Sequence, residues 1–345
     1  TRSRFASGKA VPAGFNYKEN ALMTDTGIGS AEESVLADEV LKLSEIAERC
    51  GVPMSSAAVT DWFDAESHLR YRRPTTDERD KILLDVVGFL QDDSLKRSGA
   101  HRIDAWRKGW GEILDRIADA SFEYDTLCPQ YFKFDAFRFD GDYALRQDKL
   151  FEFALCHAVK TTLYAHYIED GDRIVDLGTG SAANVYLLLN MFKNSQVVGA
   201  DWAEPSVEIT NKISTYYDGR ATGARFDMLS LEGRESLGTL TDNVVLSVHS
   251  FEQLGTQWQG ILGMLLEAKP KICIQIEPIY ENYDDEPIFD ALGRLYHNKR
   301  GYLRVYQTEL MRLADANKVE ILDQRRLTFG TMLHEPYGVL VWRPK

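Results

Sequence analysis

The second half of the chain repeats one pattern, in which short apolar runs alternate with segments of helical periodicity. The runs are RIVDLG, SQVVGAD, ARFDML, DNVVLSV, KICIQIE, VEILDQ and YGVLVW. Such alternation is typical of parallel strands joined by crossover helices, so it predicts an α/β fold built on a seven-stranded, Rossmann-like sheet. The last two runs are joined by a loop too short for a helical crossover, which predicts an antiparallel strand at the sheet edge.

The first half follows helical periodicity instead. Ser30 and Glu33 form a capping box that opens a first predicted helix. Further helices are predicted near residues 54–70, 77–92, 97–119 and 148–168. Residues 121–147 are rich in Phe, Tyr and acids and are interpreted as an ordered connector. The sequence therefore predicts a mainly α-helical N-terminal domain over 1–147 and an α/β domain over 148–345.

Composition narrows the class of partner. With 40 Lys and Arg against 53 Asp and Glu, the net charge is -13, which disfavours nucleic acid and anionic membranes as partners. The four cysteines show no CxxC or Cys/His spacing, so we predict no metal site and a reducing compartment. Neither a secretory leader nor a membrane-spanning run is recognisable, which predicts a cytoplasmic protein.

A glycine turn follows the first run of the sheet. Gly178, Gly180 and Ala183 match the pattern G-x-G-x-x-G/A, and Asp201 ends the second run, where a ribose-binding acid belongs. Asp176 lies two residues before the first glycine. A carboxylate there would repel a pyrophosphate but can accept a hydrogen bond from a cationic amino-acid headgroup. S-adenosylmethionine carries such a headgroup and no phosphate.

The segments VDLGTGSA, VVGADWAEPSVEI and ARFDMLS together resemble the class I S-adenosylmethionine-dependent methyltransferase family, over roughly residues 150–345. The reversed final strand is also a feature of that family's sheet. The resemblance implies S-adenosyl-L-methionine as cofactor, with Asp176, Gly178 and Gly180 around its methionine moiety and Asp201 on its ribose hydroxyls. The alternative is a tight strand-to-helix turn that holds no ligand.

The resemblance also implies further contacts to the cofactor. Asp227 falls where the family often binds the adenine amino group, and Trp202 is placed to lie against the adenine face. Alternatively, Asp227 caps a turn and Trp202 packs in the core. Family members often use an N-terminal segment as a lid, so Arg146 or Arg138 is a candidate to meet the cofactor carboxylate, unless both are solvated charges. The same helices are candidates for a homodimer interface.

The methyl acceptor is expected at the carboxyl ends of the fourth and fifth strands, where ligands bind in open α/β sheets. His249, Glu252, Glu277 and Glu281 follow those strands. The N/D-PP-Y/F tetrapeptide of nucleic-acid methyltransferases is absent from the sequence, so we predict a small-molecule acceptor and no nucleic acid.

Two acceptor chemistries fit these residues. A hydroxyl group needs a base, and His249 can serve, with Glu252 or Glu277 orienting its imidazole. A guanidinium or amine instead needs carboxylates such as Glu252, Glu277 and Glu281. The acid-rich pattern favours N-methylation of a free cationic amino acid or guanidine such as arginine, as in the free-arginine methyltransferases of natural-product pathways that the chain loosely resembles. The alternatives are an O-methyltransferase of a natural-product or sugar hydroxyl, and a ligand-binding protein that retains the fold.

Overall fold

The fold is described from a computed structural model that covers residues 38–117, 123–284 and 286–345. These residues belong to one compact unit. The capping box expected at Ser30 and Glu33 lies outside the described residues. No helix within the described part of the chain is long and apolar enough to cross a bilayer.

The N-terminal half combines helices with a small antiparallel sheet. Its helices are α1 (Leu43–Arg49), α2 (Ala65–His68), α3 (Thr76–Gln91) and α4 (Ile103–Arg116). Its strands are β1 (Glu39–Val40), β2 (Arg70–Arg72), β3 (Ala136–Phe139) and β4 (Asp142–Arg146), in the order β1-β2-β4-β3. The half that was predicted to be mainly α-helical therefore also contains a four-stranded antiparallel sheet.

The segment expected to be a connector is in fact a β-hairpin. Strands β3 and β4 pair from Ala136 opposite Leu145 to Phe139 opposite Asp142, which leaves Asp140 and Gly141 as a two-residue turn. An Asp-Gly pair between two strands is a strong hairpin signal. The alternation of polar and apolar residues that normally accompanies it is missing, because all four residues of β3 are buried, including Arg138.

The C-terminal half has the expected order of elements. After α5 (Phe151–Tyr167) come β5 (Arg173–Leu177), α6 (Ala183–Met191), β6 (Gln196–Asp201), α7 (Glu204–Ser214), β7 (Ala221–Arg225), β8 (Val244–Val248), α8 (Gln259–Ala268), β9 (Ile272–Glu277), α9 (Ile288–Arg300), α10 (Tyr306–Asp315), β10 (Val319–Arg325) and β11 (Gly338–Pro344).

The seven strands β5 to β11 form one sheet in the order β10-β11-β9-β8-β5-β6-β7. Strands β5 to β9 pair in parallel, whereas β11 is antiparallel to both β9 and β10. The predicted fold class is confirmed, with the detail that the reversed strand lies one position in from the edge. The chain order changes direction between β5 and β8, so a crevice is expected at their carboxyl ends.

Helix α5 joins the two halves. Fourteen of its residues, from Phe151 to Tyr164, are buried, because α5 packs against α1 and α2 of the N-terminal half and against α6 of the C-terminal half. A helix that is buried all round needs an apolar surface on every face. The polar exceptions in its interior, Glu152, His157 and Lys160, are therefore the unusual residues of this element. The division at residue 147 and the homodimer remain predictions.

Close packing of α7 on β7 generates a first prediction. A Cβ added at Gly223 of β7 would lie 2.3 Å from the Val207 carbonyl oxygen of α7, whereas one at Gly88, exposed on α3, would meet nothing within 4 Å. We expect Gly223→Ala to lower the free energy of unfolding by about 2 kcal/mol or more. The control Gly88→Ala should raise it by roughly 0.5–1 kcal/mol, because alanine favours helix. Urea denaturation of both variants measures this, and equal stabilities would contradict the packing described.

Candidate active site

Two cavities meet at the carboxyl ends of β5, β6 and β8. They share one wall, formed by Trp106, Trp110, Gly178, Gly180 and His249. The Asp227 cavity continues along Asp201, Trp202, Phe226, Asp227, Met228 and Leu229. The Glu252 cavity has a volume of about 450 Å³ and also reaches Lys160, Asn184, Glu252, Arg300 and His334. The glycine turn predicted from the sequence thus lies between two separate spaces.

The turn itself is tightly packed. Gly178 and Gly180 have φ angles of +78° and +55°, a region that disfavours residues with a side chain. A Cβ at Gly178 would lie 2.4 Å from Cβ of Ser250, and one at Gly180 would lie 2.9 Å from the Trp110 ring. Both glycines are therefore required by conformation and by space.

Asp176 lies under the turn and is completely buried. Its Oδ1 accepts a hydrogen bond of 3.2 Å from the Asn184 side chain, while its Oδ2 has no protein partner. Burial raises the pKa of this carboxyl to about 6. Asn184 in turn accepts a hydrogen bond of 2.9 Å from Nζ of Lys160, a buried cation that sequence reasoning missed. A single lysine within the apolar run of α5 is the signal that could have found it.

Asp201 at the end of β6 binds the same turn. Its two oxygens accept hydrogen bonds of 2.9 Å each from the backbone N–H groups of Gly180 and Ala203. Burial raises its pKa to about 6 as well. Trp202 and Asp227 line the Asp227 cavity as expected, but Asp227 also accepts hydrogen bonds from Leu229 and Ser230 and so caps a local turn. Asp227 therefore caps a turn, as the alternative interpretation predicts, and it also lines the cavity.

Helix α4 covers the turn with two tryptophans that the sequence analysis did not single out. Trp106 and Trp110 stack with ring centroids 5.5 Å apart and line both cavities. Arg107, on the same helix, binds Glu204 of α7 through hydrogen bonds of 2.7 and 3.0 Å, which ties α4 to the α/β sheet. The i, i+4 spacing of the two tryptophans on a helix was the available signal.

His249 lies directly after β8 and borders both cavities. Its backbone φ is +51°, an unusual value for a residue with a side chain. Nε2 of the ring is buried without a partner, while the backbone of Pro336 hydrogen-bonds the ring. Because proline has no N–H, its carbonyl accepts, and Nδ1 is the nitrogen that donates. Burial, followed by the charge of Lys160, lowers the pKa of His249 to about 3, so the ring is neutral with a free lone pair on Nε2.

The glutamates do not come together as expected. Glu252 lines the Glu252 cavity, but Glu277 does not border either cavity. Instead, Glu277 is buried and accepts hydrogen bonds of 3.1–3.3 Å from the backbone N–H groups of Ser250, Phe251 and Glu252. It therefore holds the loop after β8, and neither glutamate orients His249, because that bond goes to Pro336.

Glu281 also lies away from the two cavities. Its carboxyl is half-buried, and one of its oxygens is buried without a hydrogen-bond partner. Burial raises its pKa, and the nearby backbone at the start of α10 offsets part of that shift. Glu281 thus lies beside the start of α10 rather than in an acidic cluster with Glu252.

The arginines proposed for the cofactor carboxylate are occupied elsewhere. Arg146 donates to Asp135 at 3.2 Å and to the carbonyls of Phe132 and Lys149, and it does not line either cavity. Arg138 is fully buried against the Phe289 ring, 3.6 Å from its centroid. Both arginines lie in the small sheet. Lys160 instead reaches the glycine turn through Asn184, because the Asn184 side chain accepts a hydrogen bond from Lys160 and donates one to Asp176.

No family model and no curated protein sequence matches the chain. Solved structures are similar in fold. One is a SAM-dependent methyltransferase from Aquifex aeolicus, with 13% identity and a TM-score of 0.36 over 54% of this chain and 89% of that one. Another is the pyocyanin biosynthetic protein PhzM, with 15% identity and a TM-score of 0.40 over 81% and 79%.

A third is the O-methyltransferase NcsB1 from neocarzinostatin biosynthesis, solved with S-adenosyl-L-homocysteine and 1,4-dihydroxy-2-naphthoic acid. It shares 15% identity and a TM-score of 0.38 over 56% of this chain and 57% of that one. These solved structures include S-adenosylmethionine-dependent methyltransferases, the family that the sequence resembles.

The bonds of Glu277 generate a second prediction. In Glu277→Gln an N–H₂ group replaces one acceptor oxygen and meets a backbone donor of the loop after β8. We expect the variant to lose about 1–3 kcal/mol of stability in urea denaturation, because a buried donor is left unsatisfied. Glu267→Gln, a change at an exposed position of α8, is the control and should be neutral. A Glu277→Gln protein as stable as the control would show that the carboxylate does not hold the loop.

Proposed function

We propose that the chain is an S-adenosylmethionine-dependent methyltransferase that modifies a hydroxyl group of a small aromatic acceptor. The observation that carries the proposal is His249, which lines both cavities and whose buried Nε2 has no hydrogen-bond partner. Its neutral imidazole has a free lone pair that can accept a hydroxyl proton, although burial makes the ring a weaker base than a solvent-exposed histidine.

The residues around the glycine turn fit the cofactor. Asp176 does not line either cavity, but its buried Oδ2 lies under the turn without a hydrogen-bond partner and would accept a hydrogen bond from the cofactor's ammonium group. Lys160 would meet its carboxylate, and Asp201 would accept from the ribose hydroxyls. Trp202, Phe226 and other apolar side chains of the Asp227 cavity would enclose the adenine ring.

The large size and apolar lining of the Glu252 cavity support a small aromatic acceptor. Nine of the described side chains that line it are Phe, Tyr or Trp, contributed by both halves of the chain. Aromatic rings favour ring-shaped ligands through stacking and edge-to-face contacts. A folded nucleic acid is not compatible with a cavity of about 450 Å³ in a protein of net charge -13.

The cofactor, when bound, supplies an electrophilic methyl group on a positively charged sulfur. His249 accepts the acceptor's hydroxyl proton at Nε2, while the Pro336 carbonyl holds the proton on the other ring nitrogen. The ring of Tyr337, whose centroid is 5.2 Å from that of His249, limits its movement. Trp106 and Trp110 cover the reacting centre and exclude water from it.

A second candidate, N-methylation of arginine or another guanidine, is supported by one observation. Glu252 lines the cavity and would bind a guanidinium group there. However, Glu277 and Glu281 do not join it, and burial together with the charge of Glu277 raises the pKa of Glu252 to about 8. Burial thus disfavours the charged form of Glu252 that a guanidinium group would need, which favours the hydroxyl acceptor.

The cofactor assignment yields a third prediction. S-adenosylhomocysteine should bind in the micromolar range, roughly -7 to -9 kcal/mol, and NAD should not bind. Because the pKa values of Asp176 and Asp201 are about 6, both carboxylates ionise as pH rises through that value. Affinity for S-adenosylhomocysteine should therefore be about tenfold or more weaker at pH 5 than at pH 7.5 in isothermal titration.

Asp201→Ala should weaken the binding of S-adenosylhomocysteine by about 1–3 kcal/mol. The control Glu208→Ala, at an exposed position of α7, should leave this affinity unchanged. Thermal melts of both variants show whether the turn stays folded. Unchanged affinity in folded Asp201→Ala would contradict the ribose contact, and tight binding of NAD would contradict the cofactor class.

The base generates a fourth prediction. His249→Asn is the preferred change, because Asn tolerates the left-handed backbone of that position. Screening phenols, guanidines, amines and sugars for release of S-adenosylhomocysteine identifies an acceptor. With a hydroxyl acceptor, kcat/KM should fall by about 10²- to 10⁴-fold in this variant. With a guanidine acceptor, activity would instead be lost in Glu252→Gln and retained in His249→Asn. Cofactor binding without turnover of any acceptor would indicate a ligand-binding protein.

A further inference from the structure

The Glu252 cavity carries positive charge in a protein whose overall charge is strongly negative. Among its described lining residues, the cations are Arg102, Lys133, Lys160 and Arg300, and the single carboxyl is that of Glu252. An excess of cations around a cavity attracts anions into it. The sequence charge had indicated the opposite preference, since the net charge of -13 suits cationic ligands.

Two of these cations have no anionic partner. Arg300, the last residue of α9, is only 8% exposed, and its Nε has no hydrogen-bond partner. Arg102 precedes α4, and its Nε is likewise buried without a partner. Within the described chain, no carboxylate oxygen lies within 4 Å of either guanidinium group. Burial and then the charge of Arg300 lower the pKa of Arg102, so the two groups are close enough to repel each other.

Such an arrangement is costly in the absence of a ligand. A buried guanidinium group without a counter-ion pays a desolvation penalty, and a neighbouring like charge adds to it. Glu252 forms no salt bridge with either arginine. Burial lowers the pKa of Arg300, but the nearby Tyr302, Tyr296 and Glu252 outweigh this effect and raise that pKa overall. A carboxylate matches the planar guanidinium fork through paired hydrogen bonds and would relieve both costs.

We propose that Arg102 and Arg300 form a carboxylate subsite for the methyl acceptor, which is therefore an aromatic hydroxy acid. This inference rests on the proposed function and specifies its substrate class. Lys160 is separate from this pair, since its Nζ donates to Asn184 beside the glycine turn. The same cavity is thus lined by a candidate base, His249, and by the candidate anion-binding pair.

The rings near the pair favour an aromatic acid over an amino acid. The Arg102 guanidinium lies over the Trp106 ring, with Cζ 5.6 Å from its centroid, and Arg300 lies over Tyr302, with Cζ 5.2 Å from that centroid. Tyr296 packs edge-on against Tyr302 at 5.8 Å. A flat ring that carries a carboxylate can stack on these side chains while the carboxylate meets the arginines.

The test compares ligands with and without the carboxylate, by titration calorimetry on the full chain saturated with S-adenosylhomocysteine. The aromatic probes are 1-hydroxy-2-naphthoate, its methyl ester and 1-naphthol. Arginine and agmatine, which is arginine without its carboxylate, form the matched guanidine pair. We expect the naphthoate to bind at least tenfold more tightly than its ester, and arginine and agmatine to bind more weakly than both. Tighter binding of arginine than of naphthoate, with agmatine weaker, would assign the subsite to an amino acid and overturn the aromatic acid.

Variants link the preference to the pair. The acid-to-ester ratio is the affinity for the naphthoate divided by the affinity for its methyl ester. Arg300→Met and Arg102→Met should each reduce this ratio by about tenfold, and Arg300→Lys should retain part of the preference. The matched controls are Lys299→Met on α9 and Lys108→Met on α4, neither of which lines the cavity, and both should keep the full ratio. An unchanged ratio in folded Arg300→Met and Arg102→Met would overturn the subsite.

The affinity for S-adenosylhomocysteine separates this result from the proposed function. If the wild-type chain does not bind it, the methyltransferase proposal fails, and the acid-to-ester ratio is then measured on the ligand-free protein. If it binds normally and the acid has no advantage over the ester, only the carboxylate subsite fails.

Discussion

The contact between the glycine turn and its neighbours is the constraint on which the rest of the site depends. Gly178 leaves no room for a side chain because Ser250 packs against it, and Gly180 leaves none because of Trp110. The turn therefore brings together the end of β5, the loop after β8 and helix α4. Asp201 completes this junction through its bond to the Gly180 N–H. Any ligand at the carboxyl edge of the sheet must lie beside this junction.

Burial decides the charge state of the groups around the turn. Asp176 and Asp201 are both removed from water, so their pKa values rise to about 6, and His249 is held neutral by the same cause. Such shifts are costly for stability but place groups that titrate near neutral pH beside a ligand cavity. The same penalty applied to Arg102 and Arg300 cannot be relieved by losing a proton, which is why an anion is expected there.

Acidic residues that look alike in the sequence have different roles in the structure. Glu252 lines the Glu252 cavity, Glu277 holds the backbone of the loop after β8, and Glu281 lies beside the start of α10. The loop that carries His249 and Glu252 is thus positioned by a carboxylate that never reaches the ligand space. Since an acid can serve structure or chemistry equally well, its bonding partners are needed to assign its role.

The sequence by itself determined the elements whose signals are local. The seven strands, their crossover helices, the reversed strand and the turn at Gly178 and Gly180 all follow from periodicity and residue type within short segments. Asp201 was found in the same way, since it directly ends a strand. Only the tertiary structure decided that Arg146 binds Asp135, that Lys160 reaches Asn184, and that Arg102 and Arg300 converge on one cavity. These contacts join residues that are distant in the chain or depend on the direction of a side chain, and no local pattern carries that information.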